Sequence, residues 1–163
     1  MSCTGIIPFF NEGQRIFKVL DVITKVKGLS HIICVDDGSA ISACKQIKRR
    51  YKQIKVIRLS KNHGKAYAVR IALQQSNDDY IFLMDADISN ISQNEIMNAL
   101  AVIKSNKSID MLILRRISPL EAKFIRADII FSGERILKRH DLIKIFQMKP
   151  VGYQLEIAIN HYM

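Results

Sequence analysis

The chain has 163 residues, 48% of them hydrophobic and 25% charged, which suits one soluble globular domain whose core needs neither disulfides nor metal. Its apolar runs fall well short of the roughly 20 residues a helix needs to cross a bilayer, no secretory leader pattern opens it, and Cys3, Cys34 and Cys44 have no metal-ligand spacing, so integral membrane protein, disulfide scaffold, collagen and coiled coil are excluded and a reducing cytoplasm is expected. With 25 Lys and Arg against 15 Asp and Glu the formal charge is +10, which favours polyanionic partners without choosing among nucleic acid, anionic lipid and phosphorylated substrates.

Taken in order, residues 4–8 (TGIIP) read as a buried strand, and Glu12 to Val26 follow as a helix with Ile16, Val19, Leu20 and Ile23 on one face. Residues 31–35 form a second strand, Ala43 to Tyr51 a helix, residues 55–60 a third strand and Gly64 to Gln75 a helix. Residues 80–85 form a fourth strand, Gln93 to Lys104 an amphipathic helix with Ile96, Leu100 and Ile103 in register, and residues 111–114 a fifth strand. Repeated strand–helix pairs predict an α/β fold, a mainly parallel sheet with helices on both faces. Beyond Arg116 the alternation stops. Pro119 interrupts the chain, residues 131–139 (FSGERILKR) carry no assigned element, a short helix begins at Asp141, and a helical pattern closes the chain. No linker or repeat divides it, so a single domain over 1–163 is expected.

In an open α/β sheet, ligands bind beyond the carboxyl ends of the strands. There the sequence places Pro8-Phe9-Phe10-Asn11-Glu12, Asp36-Asp37-Gly38-Ser39, Asn62-His63-Gly64-Lys65 and Asp85-Ala86-Asp87. Carboxylates two residues apart, as at Asp85 and Asp87, can converge on a hard cation that keeps positions open for a diphosphate; the plain alternative is an Asp capping the next helix. Asp36-Asp37-Gly38-Ser39 reads equally as a turn and as a carboxylate for a nucleobase imide. Lys65 after Gly64 invites phosphate binding, but Leu59 and Ala66 stand where a Walker loop needs Gly and Ser or Thr, and no GxGxxG occurs.

Together, IIPFFNE (6–12), ICVDDGS (33–39), NHGKAYAVR (62–70) and MDADIS (84–89) resemble the nucleotide-sugar-binding half of family 2-type glycosyltransferases with the GT-A fold. FSGERILKRHDLIKI and GYQLEIAI resemble the acceptor side of glucosyl-3-phosphoglycerate synthases and, more loosely, of dolichyl- or polyprenyl-phosphate sugar transferases. The resemblance implies a nucleotide-diphospho-sugar transferase in which residues 1–89 hold the donor and 110–163 the acceptor. Pro8 and Glu12 would line the nucleoside, Asp36 or Asp37 the base edge, Lys65 the nucleotide, and Asp85 the ribose and metal; Asp87 would bind Mg²⁺ or Mn²⁺ directly. Glu134 and Glu156 would serve the acceptor hydroxyl as catalytic carboxylates. Gly152, Tyr153 and Glu156 would form an element near sugar and acceptor, and Arg115, Arg116 and Arg135 would clamp an anionic acceptor or the diphosphate. Relatives usually continue past this last helix, several with a histidine that completes the metal site and that His161 replaces poorly, so a minimal or C-terminally truncated form is expected.

These residues predict transfer of a sugar, glucose from UDP-glucose foremost, to an acceptor that phosphoglycerate, a lipid phosphate or a glycan would equally satisfy. A non-catalytic nucleotide-sugar-binding module is the alternative. A nucleic-acid binder is not expected, because little aromatic interleaving accompanies the basic runs at Lys45 to Lys55 and Lys138 to Lys144. The same charge suits a peripheral position on the cytoplasmic face of an anionic membrane.

Overall fold

The computed structural model describes residues 1–88, 92–114, 133–148 and 154–163. The elements are β1 (Cys3–Phe9), α1 (Arg15–Ile23), β2 (His31–Asp36), α2 (Cys44–Arg50), β3 (Ile54–Arg58), α3 (Lys65–Leu73), β4 (Tyr80–Leu83), α4 (Gln93–Ser105), β5 (Met111–Ile113), β6 (Arg135–Lys138), α5 (Arg139–Gln147) and α6 (Gln154–Tyr162). The strands form one sheet in the order β3-β2-β1-β4-β6-β5. Pairs β1–β2, β1–β4 and β2–β3 are parallel, whereas β6 lies antiparallel between β4 and β5.

The central strand is buried along its whole length, and its side chains alternate between two cores. Cys3, Ile7 and Phe9 join Ile16, Leu20, Ile47 and Ile96 from α1, α2 and α4 on one face. Ile6 joins Val69, Leu142, Ile145, Leu155 and Ile159 from α3, α5 and α6 on the other. Two covered faces explain why the parallel strands read as continuous apolar runs. Helix ends follow local chemistry: the Thr24 hydroxyl donates to the Leu20 carbonyl at 2.6 Å as α1 ends, and Ser92 accepts from the Glu95 amide at 3.3 Å as α4 begins. Ser92, rather than an Asp of the preceding turn, is therefore the side-chain cap.

The mainly parallel sheet with helices on both faces matches expectation. Two corrections concern the last third. The RILK stretch left without an element is β6, and the helix expected from Asp141 starts two residues earlier, at Arg139. A four-residue strand with a basic residue at each end resembles a surface turn in sequence; it is buried because two strands flank it. Phe82 in β4 is fully buried, so Phe82→Ala should cost about 3–5 kcal/mol, measured as a lower urea midpoint with unchanged slope.

Candidate active site

The connection from β1 runs to β2 on one side while β4 lies on the other, so the strand order reverses between β1 and β4, where open α/β sheets bind ligands. The register prepares that gap: β1 pairs with β2 as far as Phe9↔Asp36 but with β4 only to Ile6↔Leu83. A cleft of about 430 Å³ opens there, lined by Pro8, Phe9, Phe10, Glu12, Asp37, Asn62, Gly64, Lys65, Asp85, Ala86 and Asp87.

The two aspartates ending β2 do different work. Asp36 is fully buried and outside the cleft lining. Its Oδ1 accepts from the Ser39 amide at 2.9 Å and its Oδ2 from the Ser42 hydroxyl at 2.5 Å. Burial alone would raise its pKa, but the bonds from Ser39 and Ser42 outweigh that and hold the carboxyl below its ordinary value. Asp37 lines the cleft and accepts the His63 and Gly64 amides, one on each oxygen, at 2.9 and 2.8 Å. It thereby fixes the loop leading into α3. Gly38 permits this approach: its φ is +76°, and a Cβ there would lie 2.6 Å from Lys61 Cα and Asn62 N.

At the start of α3 the Lys65 ammonium lies between two carboxylates. It pairs with Asp85 Oδ1 and, at 2.5 Å, with Glu156 Oε1 of α6. Burial would lower the lysine pKa; the carboxylates of Asp85 and Glu156 override it and hold the ammonium above its ordinary value. Gly133 backs onto the other Asp85 oxygen so closely that any Cβ would overlap the carboxylate. Behind this cluster Arg135 is fully buried, and its Nη1 donates to the Glu156 carbonyl at 3.4 Å and to Asn160 Oδ1 at 2.6 Å.

Asp87 differs from Asp85. It is exposed in the cleft and makes no hydrogen bond or ion pair among the described residues. Glu12 completes the acidic wall. Burial raises its pKa first, Asp87 and Asp85 raise it further, and Arg15, whose Nη2 lies 2.8 Å from Oε2, opposes them. Among the described residues no three His, Cys, Asp or Glu side chains converge on a metal. The donor set is all oxygen and carries uncompensated negative charge, which fits a hard divalent cation held by few protein groups and shared with a diphosphate.

The sequence model of Glycosyl transferase family 2 matches residues 4–158. The chain belongs to this family. It is 31% identical to dolichyl-phosphate beta-glucosyltransferase of Saccharomyces cerevisiae across 90% of this chain and 50% of the yeast protein. Among solved structures it resembles Mycobacterium tuberculosis glucosyl-3-phosphoglycerate synthase in complex with Mn²⁺, UDP-glucose and phosphoglyceric acid, with TM-score 0.75 and 18% identity over 98% of this chain and 63% of that one. It also resembles the Pyrobaculum calidifontis mannosyltransferase in complex with GDP-mannose and Mn²⁺, with TM-score 0.69 and 18% identity over 88% of this chain and 46% of that one. These likenesses establish the GT-A fold. The chain spans about half the length of the yeast relative.

Of the residues singled out in the sequence, this family 2 cleft gathers Pro8, Glu12, Asp37, Lys65, Asp85 and Asp87. Asp36, expected as one of two candidates for the base edge, is instead an internal brace of the turn. Arg135, expected to clamp the acceptor, is buried against α6 rather than turned to the cleft. Glu134 and Glu156 are buried outside the lining, Glu156 joined to it through Lys65. Tyr153, Gly152, Arg115 and Arg116 lie outside the described residues. Gly133 and Asn160 also shape the site; their signals in the sequence are a glycine preceding the Glu134-Arg135 pair and an amide one turn after Glu156 on the same helix.

Two outcomes follow. A carboxyl held below its ordinary pKa stabilises the fold above the unfolded value of about 3.9 and loses that contribution as pH falls through the folded value. Asp36→Asn should therefore be less stable than wild type at pH 7, with the difference shrinking in urea titrations below about pH 4. Lys65→Met leaves Asp85 and Glu156 without their shared cation and should cost about 2–3 kcal/mol, the lysine being partly exposed. Adding Glu156→Gln should recover part of that loss.

Proposed function

We propose that this chain is a metal-dependent glycosyltransferase that moves a sugar, glucose foremost, from UDP-glucose to an anionic acceptor, a lipid phosphate in our reading, as a peripheral protein of the cytoplasm. The observation that carries it is the exposed, unbonded Asp87 at the strand-order reversal, beside a second carboxylate already neutralised by Lys65. The yeast relative's dolichyl-phosphate name supports the acceptor class, and three buried free thiols fit a reducing compartment.

In this reading Pro8 and Phe9 pack the nucleoside and Glu12 accepts from a ribose hydroxyl. Asp37 receives the base imide, because each of its oxygens keeps a lone pair beyond the backbone bond it already accepts. Asp87, with Asp85 behind it, would hold Mg²⁺ or Mn²⁺, which when bound neutralises charge on the departing diphosphate. Lys65 orients Asp85 through their ion pair. The bond from the anomeric carbon to the diphosphate breaks, its electron pair leaving with the diphosphate, as an acceptor oxygen bonds to that carbon. A phosphate acceptor arrives already ionised. That matches a site whose two candidate bases are engaged or buried, Glu156 on Lys65 and Glu134 outside the lining.

Calorimetric titration of UDP-glucose and GDP-mannose, with and without Mn²⁺, tests the donor. UDP-glucose should bind only with metal, and Asp87→Ala should weaken it at least about tenfold. Binding of neither donor under any condition would overturn the reading. Transfer of radiolabelled glucose to dolichyl phosphate, measured in the organic phase, tests the acceptor.

A further inference from the structure

The net charge is not spread over the molecule. Residues 38–77 hold ten Lys and Arg and no Asp or Glu, so this one segment accounts for the whole +10 excess. It builds α2, the edge strand β3 and α3. Several of these cations are engaged: Lys65 in the cleft, Arg50 on Asp21, Lys55 on Gln75. On α2, Cys44 and Ile47 face the core, while Lys45, Lys48 and Arg49 form an exposed stripe at helical spacing with no hydrogen bond or ion pair among the described residues.

At the start of that stripe stands Ile41, 89% exposed, the most exposed large apolar residue among those described. Phe10, 42% exposed, belongs to the neighbouring loop. The two loops are tied: the Ala40 amide donates to Asn11 Oδ1 at 2.9 Å, and the Asn11 amide to Ser39 Oγ at 2.8 Å. Phe10 also lines the cleft, so one apolar tip stands at its mouth, the other is in the loop tied to it, and the cationic stripe follows directly in the chain.

We propose that Ile41 and Phe10, with the Lys45–Lys48–Arg49 face of α2, dock the domain on an anionic bilayer with the cleft mouth towards the headgroups. Apolar side chains that enter the interface, next to cations that meet lipid phosphates, form the two-part signal that peripheral binding needs. Nucleic acid would match the charge but gives no reason to expose Ile41, and the one tyrosine beside the stripe, Tyr51, is buried. The docking deepens the proposed function, since it rests on a lipid-phosphate acceptor for its purpose, but its test does not.

The test is co-sedimentation of the full chain, without nucleotide, with vesicles of phosphatidylcholine alone or with roughly 30% phosphatidylglycerol. Binding should require the anionic lipid and weaken with salt. The combined Lys45→Glu, Lys48→Glu, Arg49→Glu variant should lose at least about tenfold in partitioning. Ile41→Ser should lose less, and its deficit should persist at high salt. Reversing Lys104 and Lys107, exposed cations on and just after α4, should leave binding unchanged. Four results would overturn the proposal: no vesicle binding, equal binding to neutral vesicles, equal loss in the Lys104/Lys107 variant, or binding of a single-stranded oligonucleotide in place of vesicles. Calorimetric donor binding without lipid fails or succeeds separately, so loss of one reading is distinguishable from loss of the other.

Discussion

The site is organised around one ammonium group. Lys65 enters from the first turn of α3 and joins the carboxylate after β4 to a carboxylate on α6, so elements from the middle and the end of the chain meet at a single cation. Taking these charges from water is costly, and the arrangement persists because every member has a partner. The consequence is a division of labour between the acidic residues two apart. Asp85 is neutralised and fixed, with Gly133 clearing space behind it, while Asp87 remains exposed in the cleft.

A second layer of the design is backbone clamping by carboxylates. Asp37 holds the loop that delivers Lys65, and Asp36 holds the turn that delivers Asp37. Asp37 is held by backbone amides, and Asp36 by the Ser39 amide and the Ser42 hydroxyl, with the Arg58 guanidinium 3.8 Å from its Oδ2. Gly38 is needed because the turn and the loop touch through backbone atoms. The cleft wall is thus set by short-range hydrogen bonds, and its charge by longer-range pairing.

The molecule is electrically lopsided. The segment that builds α2, β3 and α3 carries the entire excess of positive charge, whereas the cleft itself is lined by four carboxylates, Glu12, Asp37, Asp85 and Asp87, and one lysine. A basic flank around an acidic pocket attracts polyanions to the surface but leaves their phosphates short of a counter-charge inside, a shortfall that a divalent cation would fill.

Four strands were legible in the sequence because parallel strands read as apolar runs, β5 was legible from its own apolar MLIL run though it is half-buried and antiparallel to β6, and the order of the four strand-end segments pointed to the family. That Pro8, Glu12, Asp37, Lys65, Asp85 and Asp87 line one cleft was legible because carboxyl ends of parallel strands share one edge of the sheet, so sequence position alone brings them near one another. The sequence did not disclose β6, since burial of RILK depends on β4 and β5, both distant in the chain. Nor did it separate Asp36 from Asp37, because adjacent residues of a strand point to opposite sides and only packing decides which side is the cleft. Arg135 illustrates the limit: composition marks it as a surface cation, and it is buried because Asn160 and the Glu156 carbonyl, on a helix that only tertiary folding brings there, accept its hydrogen bonds.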